Sequence, residues 1–581
     1  MAPSATFLAL ISTLVILTSP AHALPNAVAH RDAQDSCHCF PGDACWPAPD
    51  LWNAFNGSLG GRLIANTPIA AVCHHSTLFP YDAAACSVLQ NTWFLPQTHF
   101  DSSSSMMASL PTNNSCNPFL DASAPCTMGN YPVYSVNATG PGDYQTTLQF
   151  AQAHNIRLVI RNTAADYNGK SSGAGSLALW THHLKSKEIL EYRSNGYSGT
   201  AFRFGAGVQV TEAYEFSLAH GHLVVGANVP EVGLVGGYSQ GGGHGPLVSR
   251  FGLAVDQVLE WEVVLASGEV VVASPDSAEH ADLHWALCGG GGGTYAAVLS
   301  ATVKAHPSLI LSTANLTFAL PPTAQSPDAF WEGVRVFVEH IPAINDAGTQ
   351  AIWYVEATAF NLATLFAPGF DKTALDALMQ PFLDALDRLE LPYSYASEQH
   401  PGFLEGFLQQ PGTGAANLNI GGRLIPRTLA QSNGGSAALT AAIHSITSSS
   451  GVVFSGVTFN VSNHAPEHGV GINPYWRETI FSAVFGTFFD WTDWEKNQRS
   501  ADTITNDLLP HLERLTPGGA AYLNECDFQQ ADWKTVFYGA NWVRLSEIKS
   551  KYDPNGVFYA LGAVGSEGWT QQVDGRLCRA T

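Results

Sequence analysis

The sequence predicts an α+β protein of two domains. At 581 residues the chain is long enough to bury more than one core. Between about residue 144 and residue 303, short strands and helices alternate around three glycine-bearing loops. From Leu309 onward, longer strands separated by helices suit a sheet covered by one helical layer.

The amino terminus reads as a signal peptide over residues 1–23. Phe7 to Leu17 is an apolar run too short to span a bilayer, and Ala21-His22-Ala23 supplies small residues for cleavage. Secretion is the expectation. Asn56, Asn113, Asn137, Asn315 and Asn460 each open an N-x-[ST] sequon, as in an extracellular glycoprotein. Seven of the ten cysteines precede residue 130, and in an oxidising compartment most should pair and tie down an irregular segment over 31–125 with short helical pieces such as Asp50–Leu59. Cys37-x-Cys39 lacks the spacing of a redox dithiol, and the Cys and His positions form no two spaced ligand pairs, so no metal site is expected. Forty-eight acidic against 26 basic residues give a net charge of -22, which argues against nucleic acid or an anionic membrane as partner.

From Cys126 the elements become regular. A helix over Tyr144–Ala151 leads to the strand Arg157–Arg161 and then to a polar loop, Asn162–Gly175. In that loop Asn162, Thr163, Ser171 and Ser172 can donate to phosphate and the backbone can form an anion nest; a solvent-facing Ser/Gly loop is the alternative. A strand over Arg203–Val208, a helix over Thr211–Ala219 and a strand over Leu223–Val225 precede the run Gly233 to Gly245. So many glycines are costly to order, which points to close approach of a bulky ligand or to a tight loop with positive φ. A hairpin over Glu260–Ala273, a helix over Ala281–Leu287 and the third glycine run, Gly289 to Gly293, complete this half. Together the loops suggest a pocket for one large polyphosphate ligand.

In the second half, strands are expected over Leu309–Leu320, Ile352–Thr358, Leu418–Ile425 and Val452–Asn460. Helices are expected over Ala329–His340, Asp371–Leu386 and Ser436–Ile446. Near the carboxyl end a charged helix stops at Pro554 and Gly556, and composition assigns that tail to packing.

Several stretches carry a resemblance: Cys39 to Trp46, Gly60-Gly61-Arg62-Leu63, Ile160 to Gly173, the Gly233 run with Tyr238 to His244, Asp282 to Gly290, and Tyr552 to Phe558. The chain resembles the FAD-linked oxidoreductases of the vanillyl-alcohol oxidase superfamily, in the fungal branch related to berberine bridge enzyme and glucooligosaccharide oxidase. The resemblance implies an FAD-binding domain of the PCMH type in two parts, 31–308 and 515–581. These enclose a substrate domain, 309–514, with an antiparallel sheet. It implies that Arg161, Asn162, Thr163, Ala164, Ala165, Asp166, Tyr167, Ser171 and Ser172 lie along the flavin pyrophosphate. It also places Val229, Val232, Gly233, Gly236, Gly237, Gly242, Gly243, His244, Val263 and Asn541 at the cofactor.

Two positions depart from the family. Ala165 stands where many members carry a histidine bonded to the flavin methyl carbon, and Val229 where many carry a cysteine bonded to the ring. Neither side chain has a nucleophilic atom, so FAD is expected to be non-covalent. Val232, at the position that governs oxygen access in relatives, leans toward an oxidase. Among candidate bases (Tyr354, Glu356, His464, His468 and Tyr475), Tyr475 and His468 are taken as catalytic. The expected reaction is oxidation of an alcohol or sugar hydroxyl with molecular oxygen as acceptor. Oxidative cyclisation or desaturation of a metabolite is the alternative, and a non-redox binding protein is the reading from another class.

Overall fold

The computed structural model describes residues 37–108, 110–321, 326–410, 417–432 and 434–580; the expected signal peptide lies outside them. Two sheets share the core of the first half. One takes the strands Leu63–Ala65, Tyr134–Asn137, Leu177–Trp180 and Leu158–Arg161 in that spatial order, the last three parallel. The other is antiparallel, with Lys187–Arg193, Ser198–Gly205, Ala297–Lys304, Val258–Val264 and Val270–Ala273 side by side. The helix Pro141–Ala153 joins them: Tyr144 and Leu148 pack with Leu158 and Leu177 of the first sheet and Val264 and Ala297 of the second. Tyr144 also donates its hydroxyl to the Val298 carbonyl at 2.9 Å.

The second half is a seven-stranded antiparallel sheet, in the order Tyr393–His400, Leu311–Ala319, Ala359–Pro368, Gln350–Val355, Val452–Thr458, Thr479–Phe488 and Leu418–Pro426. Its apolar face is covered by the helices Asp328–Asp346, Lys372–Arg388 and Gly435–Thr447, whose Phe337, Phe382 and Ile443 are fully buried against strand residues such as Trp353 and Phe360. Asp371 caps the second of these helices by accepting from the Ala374 N–H at 2.8 Å.

Several expected boundaries shift. The strand expected over Arg203–Val208 runs Ser198–Gly205 and turns at Ala206, where the chain must leave the sheet to reach the helix Val210–Ala219. The strand expected over Leu223–Val225 is reduced to His222–Leu223, paired with His306–Pro307. The helical piece expected over Asp50–Leu59 runs Pro49–Ser58, and a second short helix, Ala83–Thr92, is capped by Asp82. Eight cysteines pair, as Cys37–Cys578, Cys39–Cys45, Cys73–Cys86 and Cys116–Cys126, while Cys288 and Cys526 are buried thiols.

The carboxyl-terminal segment serves both halves. Its residues 516–520 zip onto the edge strand Leu418–Pro426, where the Leu424 N–H donates to the Ala520 carbonyl at 2.7 Å and Arg423 donates to the Thr516 hydroxyl and carbonyl. It then returns to the first half, where the helix Trp542–Tyr552 buries Lys549. The ammonium is satisfied by Asp553 at 2.6 Å and by the Thr294 and Phe558 carbonyls at 2.7 Å each. Beside the Cys37–Cys578 bridge, Arg576 ion-pairs with Asp43.

The guanidinium of Arg576 holds the Asp43 carboxyl below its ordinary value of 3.8. A carboxyl depressed by folding stabilises above its unfolded pKa, and that contribution disappears as pH falls through the folded value. Asp43→Asn is therefore expected to cost at most about 1 kcal/mol near pH 6. In paired denaturant melts the gap from the wild type should close as pH is lowered from 6 toward 2; a gap independent of pH would assign the loss to packing.

Candidate active site

The loop after the strand Leu158–Arg161 is braced from inside. Arg161 is fully buried and turned away from the loop, donating to the carbonyls of His99, Ser102 and Ser105, and burial pushes its pKa down to about 9. Asp166 folds the loop by accepting from the Asn168 N–H and from the N–H and hydroxyl of Ser171. Ser172 donates to the Asn130 carbonyl, and Asn162 to the Ala206 carbonyl at 2.8 Å. The side-chain donors of Asn162, Ser171 and Ser172 are thus committed within the protein rather than left for a phosphate. Ala164 adopts left-handed backbone at φ 58, with buried Thr163 before it and exposed Ala165 after it. The N–H groups of Ala164, Ala165 and Asp166 have no acceptor among the described residues. Successive N–H groups around a left-handed residue form an anion-binding nest.

The run Gly233–Gly245 forms the facing wall, and most of its glycines are required by protein neighbours. A Cβ on Gly233 would lie 2.0 Å from Asn162 Nδ2, one on Gly241 2.5 Å from Asn524 Nδ2, and one on Gly245 1.8 Å from the Gly226 carbonyl. Gly242 (φ 129) and Gly243 (φ 77) have left-handed-side backbone, with Gly242 facing Trp476. Across the gap, a Cβ on Gly292 would meet the Gly237 Cα at 2.7 Å. Gly237 differs: it is exposed, and a Cβ there would touch nothing within 4 Å. With Gly236 half-buried beside it, the backbone here opens a window. A group with phosphates and a flat ring fits a nest on one wall and bare backbone on the other.

Four parts of the chain converge beyond that window. His244 Nε2 stands 3.2 Å from both carboxylate oxygens of Glu525, with its ring stacked on Phe459 and edge-on to Tyr522. His244 is buried, its Nδ1 is buried without a partner, and the Glu525 side chain is 27% exposed, so the carboxylate is the accessible member. Tyr354 from the sheet, Tyr167 from the nest loop and Tyr522 all sense that carboxylate. Burial first, and the Glu525 charge second, raise all three hydroxyls above the ordinary phenol range. Phenols so shifted stay protonated at neutral pH and can donate hydrogen bonds.

The other expected residues are distributed as follows. Tyr475 lies in the turn Pro474–Glu478 next to Trp476, half-buried, its hydroxyl pushed up to about 12 by burial against an opposing effect of Arg423. His468 sits elsewhere, its ring 5.5 Å from that of His284 and its charge neighbours Lys304, Asp256 and Asp276. Asn541 donates to the Ile472 carbonyl at 2.7 Å and so fixes the turn that carries Tyr475. Val263 is wholly buried in its strand, paired with Val271 and Val298. Val229 and Val232 are half-buried on the segment before Gly233, and between them Glu231 has a carboxyl raised by burial, with one oxygen unpartnered. Sequence reasoning missed Glu525 and Glu231. Glu525 lies in Leu523-Asn524-Glu525-Cys526, where no spacing or periodicity marks it.

Comparison with known proteins places this geometry in context. The family described as "FAD binding domain" matches residues 132–274, and the one described as "Berberine and berberine like" matches residues 521–564. The chain is 44% identical to the FAD-linked oxidoreductase sor8 of Hypocrea jecorina over 576 residues, 99% of this chain and 98% of that protein. It is 38% identical to the bifunctional decalin synthase calF of Penicillium decumbens over 94% of this chain and 96% of the relative. Among solved structures, the VAO-type flavoprotein MtVAO615 of Myceliophthora thermophila superposes with a TM-score of 0.90 at 40% identity, covering 94% of this chain and all of that one. Berberine bridge enzyme of Eschscholzia californica, 14% identical with a TM-score of 0.62, shares the fold.

Because the Gly237 window is open, Gly237→Val is expected to leave thermal stability of the flavin-free protein within about 0.5 kcal/mol, as for a surface substitution. Flavin retained per chain should fall severalfold. An unchanged ratio of flavin absorbance to protein would show that the cofactor does not pass Gly237.

Proposed function

The chain belongs to the fungal FAD-linked oxidoreductases of the vanillyl-alcohol oxidase superfamily, and on that premise we propose that it oxidises a small secondary metabolite, ending in desaturation or ring closure, with Glu525 and His244 handling the substrate proton. It is an FAD-dependent oxidoreductase with that superfamily's two-domain α+β fold. Membership replaces the reading of a binding protein without redox chemistry. FAD, when bound, supplies the two-electron acceptor. The observation that carries the proposal is the Glu525–His244 contact beside the glycine wall, with the Glu525 side chain 27% exposed.

In this reading the nest of Ala164, Ala165 and Asp166 holds the pyrophosphate, and the window at Gly236 and Gly237 admits the flat ring. Tyr167, Tyr354 and Tyr522 donate to oxygen atoms of the substrate, and Trp476 and Phe459 exclude water from one side of the Glu525–His244 pair. Glu525 would take the proton lost from the substrate O–H, or in a desaturation from the C–H next to the carbon that gives up hydride, while His244 holds the carboxylate in place. The Penicillium decumbens relative, a bifunctional decalin synthase, favours a ring-forming or desaturating reaction over sugar oxidation. Alcohol oxidation is the second reading, supported by the same base. Val232 supports molecular oxygen as the acceptor.

Attachment of the flavin follows from two side chains. The exposed Ala165 methyl and the Val229 isopropyl group offer no nucleophile, so the FAD is held by contacts alone. Acid precipitation of the purified protein should release all yellow colour to the supernatant; colour retained in the pellet would overturn this.

Glu525→Gln keeps the shape and removes the base. It is expected to lower kcat by about 10²- to 10⁴-fold with flavin content unchanged, and the Tyr475→Phe variant should fall far less. Full activity in Glu525→Gln, measured on a panel of small alcohols and phenols, would assign the base elsewhere.

A further inference from the structure

Behind the nest loop, where Ser172 donates to the Asn130 carbonyl, five stretches of chain meet around a groove of about 540 Å³. That volume falls within the roughly 300–1,000 Å³ of small-ligand sites. One wall is the helix Trp494–Thr503, which presents Trp494, Gln498 and Asp502; another is the carboxyl-terminal hairpin, which presents Gln571 and Val573. Asn113 stands at the rim. We propose that Asn113 carries an N-linked glycan whose first sugars lie in this groove.

The sequon Asn113-Asn114-Ser115 is one of five, and the structure separates them. Asn56 is held inside the helix Pro49–Ser58, its carboxamide oxygen accepting from the Leu63 N–H at 3.0 Å. The Asn137 carboxamide is engaged by His183 at 2.7 Å, and the Asn460 amide nitrogen donates to Asp346 at 2.8 Å. Asn315 is exposed on the strand Leu311–Ala319, which is paired on both sides, Asn315 lying opposite Ala396. Asn113 is exposed at a turn with φ 55, and its side chain makes no hydrogen bond among the described residues. It is the sequon that opens onto a formed groove.

The lining suits a sugar. A pyranose has an apolar face, which a half-exposed indole such as Trp494 can cover, and a rim of hydroxyls, which Gln498, Asp502 and Gln571 can meet with donors and acceptors. Val573 is otherwise anomalous, an apolar side chain 107% exposed at the hairpin tip, and a glycan lying along the groove would shield it. Four disulfides accord with passage through the oxidising compartment where such glycans are added.

The test is glycopeptide mass spectrometry on the full chain secreted from a yeast host, together with endoglycosidase release from the native and the unfolded protein. The expected results are a glycan on Asn113 and release at least about tenfold slower from native than from unfolded protein, equivalent to about 1.4 kcal/mol of protection. A free glycopeptide added to both digests serves as the rate reference and should be released equally in each. An unmodified Asn113, with or without glycans elsewhere, overturns the proposal, and so does equal release from the two states, which would mean a glycan projecting into solvent. Because the readout is mass and release rate, it is independent of flavin content and of activity.

Discussion

The contact between two glycine backbones is the constraint on which the site depends. Gly292 lies so close to Gly237 that a Cβ would come within 2.7 Å of the neighbouring Cα, and the Gly291 N–H donates to the Gln240 carbonyl at 3.0 Å beside it. No side chain can stand between runs packed this tightly, so the wall from Gly233 to Gly245 is set by main-chain contact. Once it is set, Asn524 reaches the Gly237 carbonyl and His244 reaches Glu525, and the carboxyl-terminal segment is drawn onto the wall. The glycines therefore divide by role. Those at 233, 241, 245 and 292 are demanded by protein atoms, while Gly237 alone of these faces open space.

That division explains what could be read from residues alone. The glycine run announced tight backbone approach, but a sequence does not say whether ligand or protein makes the approach, and both answers hold at different positions. Alternating or periodic apolar residues made the strands Leu311–Ala319 and Leu418–Pro426 and the helix Asp328–Asp346 legible, because burial on one face imposes the pattern. The strands Lys187–Arg193 and Tyr393–His400 carried little such signal; each lies at a sheet edge, where polar and charged residues are tolerated. The site was legible only where a loop's composition defined it. Glu525 acquires its role through a contact with His244, 281 residues away, and no local pattern encodes that separation.

The tail that composition assigned to packing proves to be the link between the two halves. Gly422 on the edge strand lets the backbone at Glu525 and Cys526 approach, since a Cβ there would lie 2.1 Å from the Glu525 carbonyl. Arg423 and Leu424 hold residues 516–520 in register with the same strand. The carboxylate is thus positioned by the sheet's edge, while its histidine partner belongs to the glycine wall. Any sliding of one half against the other would change the 3.2 Å contact directly.

The bridge between Cys37 and Cys578, 541 residues apart in sequence, makes the folded chain nearly a closed ring. A ring has no free end from which to unravel: the short strand Trp569–Gln571 with its partner, and the helix Trp542–Tyr552 before it, cannot peel off the first half without carrying the amino-terminal segment along. A single break in an exposed loop would leave the two pieces joined, so the molecule is built to outlast a cut that would separate the halves of an ordinary linear enzyme.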